Sequence, residues 1–248
     1  MAACVMAVIF LTIAYLYFKP EPITPHEGDT SLEVSTPTST PFVYPAGLTG
    51  YAISWAQCGY IYPDLPFDFG IIDVTGGWSF THNPCLQTEF IWAQQAPYPP
   101  SFYINLTYPE SEYRKGIATP RRYGYEAARD AYEYANSQGA SSSMWWLDVQ
   151  IKSPWNVDKA INGEVVLGAI DFFKEIKLDV GLSTTPYQWD TVVGDLKTGL
   201  PNWIPGIPGN EASEYCSSGK GYSGGYVQQL ADINTPFETV YTCGAPKK

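Results

Sequence analysis

The feature that most constrains this chain is a repeated alternation of short apolar β-branched runs with longer stretches of helical spacing. Apolar runs that read as strands fall at 51–55, 69–75, 102–106, 144–151 and 179–183, with further strand signals around Trp203 and Ile204 and at 225–230. Between them, 83–96, 120–138, 156–177 and 187–193 carry helical periodicity. Asn83-Pro84 reads as a cap and first turn, Gly139 as a stop, and Val165, Val166, Ala169, Phe172, Phe173 and Ile176 lie on one apolar side. Strands that alternate with helices imply a parallel sheet, and seven or eight strands in about 200 residues favour an α/β fold closed as a (β/α)8-like TIM barrel, with irregular later strands. No glycine-rich phosphate-binding turn follows the first strand, which argues against a nucleotide-binding open sheet.

Composition narrows the partners. The chain has 248 residues, 14 Lys+Arg against 25 Asp+Glu, and a net charge of -11, so it offers no basic face for nucleic acid and little attraction to anionic lipid. Its 8 Trp, 19 Tyr and 11 Phe supply enough apolar surface to order a domain, and with few charges they suit neutral polar ligands such as sugars.

Three segments follow from this reading. Residues 1–18 are an uncharged apolar stretch, expected to be an uncleaved hydrophobic helix that anchors the chain in a membrane. Residues 19–46 hold 6 Pro and 8 Ser/Thr and read as an extended linker. Residues 47–248 are the barrel domain. The anchor and linker place the domain at the cell surface; the same apolar start also fits a filament subunit that self-assembles through its N-terminal helix, as mature pilins do.

Cys58, Cys85, Cys216 and Cys243 fall into two local pairs, each 27 residues apart. An even number suits disulfides in an oxidising compartment, the alternative being four reduced core thiols. No Cys-x-x-Cys occurs and His82 is the one histidine of the domain, so neither a metal nor a cofactor is expected. Asn105-Leu106-Thr107 is a glycosylation sequon, unless it is a buried strand.

The residues Gly50-Tyr-Ala-Ile-Ser-Trp-Ala-Gln-Cys58, Gly76-Gly77, Asn83-Pro-Cys-Leu86, Trp145-Trp-Leu-Asp-Val149, Tyr187-Gln-Trp189 and Cys243 resemble, in that order, the secreted barrels of glycoside hydrolase family 25, the muramidase-type lysozymes. The resemblance implies a glycan groove at the C-terminal ends of the strands and, as the usual substrate, the β-1,4 bond of peptidoglycan. It also implies catalytic carboxylates at the positions of Ala52, Asp148 and Gln150. Here the first is a methyl group and the third an amide, which cannot protonate a leaving oxygen. Only Asp148 keeps a carboxylate, so the expectation is a barrel that binds a glycan without cleaving it. An active hydrolase would need relocated carboxylates, for which Asp73, Asp190, Asp232 and Glu238 are the candidates.

On strand parity, Trp146, Asp148 and Gln150 share one face while Trp145, Leu147 and Val149 face the helices. Trp55, Trp146, Trp155, Tyr187 and Trp189 are expected near strand ends, where a sugar ring could stack. Asp148, Gln150 and Gln229 are expected to bond its hydroxyls.

Overall fold

Strand parity accounts for the barrel in the computed structural model, which describes residues 43–218, 221–234 and 236–245. Eight strands close into one barrel in chain order: β1 (Thr49–Ile53), β2 (Gly70–Asp73), β3 (Ser101–Asn105), β4 (Met144–Asp148), β5 (Asp179–Ser183), β6 (Asn202–Pro205), β7 (Val227–Asp232) and β8 (Glu238–Thr242). Neighbours from β1 to β7 run parallel. β8 runs antiparallel to both β7 and β1, so the closing strand departs from the all-parallel sheet that alternation implied. Its signal is weak in the sequence because β7 and β8 are antiparallel neighbours with no helical pattern between them to separate two strand signals.

The helices are α1 (Leu86–Ala93), α2 (Glu110–Lys115), α3 (Pro120–Ser137), α4 (Lys159–Glu175), α5 (Pro186–Val193) and α6 (Ala212–Ser218). α3 begins where Thr119 accepts a hydrogen bond from Arg122 N at 3.2 Å with Pro120 in the first turn, and α5 repeats this device with Thr185 and Pro186. The small face of α3, Ala127, Ala128, Ala131 and Ala135, lies buried with α4's Val166, Ala169, Phe172 and Phe173. Two glycines set the closeness of this crossing. A β-carbon on Gly124 would come within 1.8 Å of Val165 O, and one on Gly168 within 1.8 Å of Arg121 O.

Alternate residues face inward and outward, and a smaller cluster of Ile204, Ile207, Ala212, Val227 and Leu230 packs β6 and β7 with α6. Tyr51, Ile53, Ile72, Phe102, Ile104, Trp145, Leu147 and Leu182 pack outward against the helices, whereas Ala52, Ile71, Tyr103, Met144, Trp146, Trp203, Ala231 and Val240 fill the barrel. Tyr44 plugs the end from which the parallel strands start. It is fully buried, stacks on Phe69 at 4.2 Å between centroids and donates its hydroxyl to Pro99 O at 2.7 Å. Tyr44, a residue of the expected linker 19–46, thus takes part in the packing of the barrel. The hydrophobic segment 1–18 and nearly all of the linker lie outside the described residues; among the described residues no helix is long and apolar enough to cross a membrane.

Both cysteine pairs are disulfides. Cys58–Cys85 ties the loop after β1 to the start of α1, and Cys216–Cys243 ties α6 to the end of β8, each closing a 27-residue separation.

Candidate functional site

At the C-terminal ends of β2, β3 and β4 the inward side chains become polar, because these positions leave the packed barrel and meet the loops. Asp73, Thr75, Asn105 and Asp148 form a buried hydrogen-bonded row across the three strands. Thr75 N donates to Asp73 Oδ1 at 2.9 Å, and the Thr75 hydroxyl lies 2.6 Å from the same oxygen and 2.8 Å from Asn105 Oδ1. Asn105 N donates to Thr75 Oγ1 at 3.1 Å, and Asn105 Nδ2 donates to Asp148 Oδ2 at 2.7 Å.

Burial pushes the Asp148 carboxyl up to about 6, and hydrogen bonds from Gln150, Asn105 and Ser183 together with the charge of Lys152 restrain the rise. Asp73, buried at the end of the row, is raised well above the usual carboxylate range by desolvation, which outweighs its bonds to Thr75. A third carboxylate enters from the closing strand. Glu238 is the first residue of β8 and the register partner of Ala52 on β1. Its pKa rises to about 7, through partial burial first and the negative charge of Asp148 second, with Lys152 opposing both. Tyr103, on β3 inside the barrel, feels Asp73, Glu238 and Asp148 as well, and burial chiefly holds it in the phenol form.

The residues named from the sequence separate into those at this end of the barrel and those that are not. Asp148 and Gln150 belong to it, the carbonyl of Gln150 also accepting from Trp155 Nε1 at 2.9 Å. Ala52 lies inside the barrel beside Glu238. Trp55, in the 3-10 turn after β1, is 47% exposed, and Tyr187, in the first turn of α5, is 71% exposed.

Others are corrected. Trp146 shares the expected face but is fully buried, edge-on to Trp203 at 6.0 Å and lying over Gly181, where a β-carbon would come within 2.4 Å of the ring. It fills the barrel and offers no face to a sugar. Trp189 points into the outer core from α5 and donates Nε1 to Leu196 O at 3.0 Å, with its ring beside Tyr222 at 5.4 Å. Gln229 is fully buried on β7, and its amide finds no partner among the described residues. Asn105 is not presented as a glycosylation acceptor: it is 9% exposed, and its amide nitrogen is bonded to Asp148. The sequon hid its role, although parity with Ser101 and Tyr103 places it inward, level with Asp148 in the β3–β4 register.

Among the candidate substitute carboxylates, Asp73 and Glu238 join the site. Asp232 accepts from Gly209 N at 3.2 Å, and Asp190 lies on the exposed side of α5, 3.7 Å from Lys159.

Comparison with known proteins agrees with this architecture. Residues 117–205, from the turn before α3 to the end of β6, match the family model described as Lysozyme-like protein 1. Among solved structures the chain is similar to the modular Cpl-1 endolysin, solved as a Glu-to-Gln mutant in complex with a tetrasaccharide-pentapeptide (15% identity, TM-score 0.55, 83% of this chain and 56% of that one). It is also similar to the bacterial lysozyme from Streptomyces coelicolor (15% identity, TM-score 0.53, 80% and 93%) and to the modular autolysin LytC from Streptococcus pneumoniae (11% identity, TM-score 0.53, 79% and 47%). The chain thus spans about half the length of the two modular proteins. No curated protein matches it. These likenesses show the fold, a closed α/β barrel, and residues 117–205 carry the lysozyme-like match, in keeping with the resemblance to glycoside hydrolase family 25.

Proposed function

We propose that this barrel binds a cell-wall or surface glycan at the C-terminal ends of its strands and does not cleave it by the route the family resemblance implies. The observation that carries this reading is the seat of Asp148. Its carboxylate is held by Asn105, Gln150 and Ser183, while the two positions that would carry the other catalytic carboxylates are Ala52 and Gln150. Binding needs a fixed acceptor and nearby donors, and these are present. Proton delivery from position 150 needs an acid, and an amide cannot supply one. Two disulfides suit an oxidising compartment, which with the apolar segment 1–18 supports display at the cell surface on a membrane anchor.

The test is turnover and equilibrium binding measured together on peptidoglycan and chitooligosaccharides, beside a double variant carrying Ala52→Asp and Gln150→Glu. Saturable binding without turnover, with hydrolysis gained by the double variant, is the expected result; absence of binding in both would refute the reading.

A second reading has its own support in Glu238. It stands beside Ala52, it shares the field of Asp148, and a carboxyl raised to about 7 holds its proton near neutral pH. If Glu238 and Asp148 perform hydrolysis, turnover is present in the unaltered protein and disappears in both Glu238→Gln and Asp148→Asn.

A further inference from the structure

The loop that follows β2 presents an aromatic side chain that neither core uses. Trp78 is 57% exposed and Phe80 43% exposed, yet the backbone around them is held by several hydrogen bonds. Gly76 N and Trp78 N donate to Thr81 Oγ1 at 3.0 and 3.2 Å, and that hydroxyl donates to Trp78 O at 2.6 Å. Ser79 N donates to Thr107 Oγ1 at 3.3 Å, and Thr107 N donates to Ser79 Oγ at 3.0 Å. Phe80 takes φ +60, the left-handed region that a bulky side chain adopts only at a cost of roughly 1–3 kcal/mol, and rests edge-on against Tyr123 at 5.0 Å. A loop held so firmly around an indole left in water has its ordering cost met by the fold before any ligand arrives.

A second indole lies against the same loop, at the residue before Trp78. Gly77, at φ +91, lies under Trp55, and a β-carbon there would come within 3.0 Å of Trp55 Nε1. The Cys58–Cys85 disulfide ties the loop of Trp55 to the start of α1, which follows the loop of Trp78. The shelf is on the same end of the barrel as the carboxylates, because Ser79 is bonded to the strand extension that follows Asn105, and Asn105 holds Asp148. Neither 54–63 nor 74–81 contains a charged residue, so the shelf is matched to a neutral, partly apolar face.

We infer that Trp78, with Trp55, is a stacking platform for a sugar ring of the bound glycan, one or more rings away from the ring that meets Asp148. The inference rests on the glycan-binding reading above and adds to it a residue that reads glycan length. An exposed tryptophan carried on a hydrogen-bonded loop is the kind of side chain that concentrates binding energy, and a pyranose offers the neutral C–H face that an indole covers.

Affinities of the full chain for chitobiose and chitotetraose are to be measured by calorimetry for the unaltered protein, Trp78→Ala, Trp78→Phe and Trp55→Ala. Trp78→Ala is expected to weaken chitotetraose about tenfold or more, to change chitobiose less than twofold, and to leave the thermal midpoint unmoved; Trp78→Phe should recover part of the loss. Protection of tryptophan fluorescence from acrylamide on adding chitotetraose should shrink in Trp78→Phe. Equal chitotetraose affinity in the unaltered protein and Trp78→Ala would overturn the platform while leaving glycan binding intact. No binding of either sugar, or of solubilised peptidoglycan, by the unaltered protein would overturn both.

Discussion

Asn105 Nδ2 lies 2.7 Å from Asp148 Oδ2, joining the ends of β3 and β4 by a bond buried from solvent. It is a bond from a neutral donor to a carboxylate, so it favours the ionised form of Asp148 and fixes the direction in which that carboxylate faces. Replacing Asn105 with Leu should raise the pKa of Asp148 above about 6 and cost roughly 1–3 kcal/mol, since the carboxylate then keeps its burial with one donor fewer. Carbon-detected NMR titration of Asp148 and urea unfolding read the two effects. The same bond predicts that the protein made in a glycosylating host shows no mass shift at Asn105.

Carboxyls with raised pKa values make the domain favour mild acid. Glu89 is fully buried on α1; Asn83 Nδ2 donates to its Oε2 at 2.6 Å, and burial lifts it from 4.5 to about 7. Below pH 4.5 the group is protonated whether the chain is folded or unfolded, and contributes no pH dependence. Between 4.5 and about 7 the unfolded chain releases the proton and the folded one keeps it, so stability falls as pH rises, by up to about 1.4 kcal/mol per pH unit. Glu238 and Asp148 act in the same direction. Unfolding midpoints measured from pH 4 to 8 should decline, and Glu89→Gln should flatten the decline.

The crossing of α3 and α4 has no room for a methyl group at either glycine. Gly124→Ala or Gly168→Ala must drive the two helices apart against a backbone carbonyl, an overpacking defect worth roughly 1–3 kcal/mol that exceeds the gain in helix propensity. Thermal unfolding should show both variants destabilised, with Gly139→Ala as a contrast: nothing lies within 4 Å of its absent side chain, and its loss comes only from φ +70.

The two disulfides should separate stability from binding. Each spans 27 residues, and loop-closure entropy puts the contribution of either at about 3.5 kcal/mol. Cys216→Ser should lower stability with little change in glycan affinity, because it joins α6 to the end of β8 away from the platform. Cys58→Ser, which frees the loop of Trp55 from the start of α1, should lower both, as read by chemical denaturation and calorimetry.

The alternation of strand and helix, the parity that sends Trp145 to the helices and Asp148 inward, and the paired cysteines were legible as patterns because each arises from local periodicity or spacing. The side chains at two positions were legible too: a methyl at Ala52 and an amide at Gln150 are chemical facts whatever the fold. Parity says which face a residue takes, however, and not how deep it sits. Trp146 and Asp148 share one face two residues apart; only closure of the barrel makes the first a filler packed on Gly181 and the second a site residue among donors. In the same way, Glu238 is 186 positions from Ala52 in the chain and becomes its neighbour only when β8 closes the sheet against β1. Local pattern sets the direction of a side chain, but depth and partnership depend on contacts between residues far apart in sequence, which exist only once the barrel is closed.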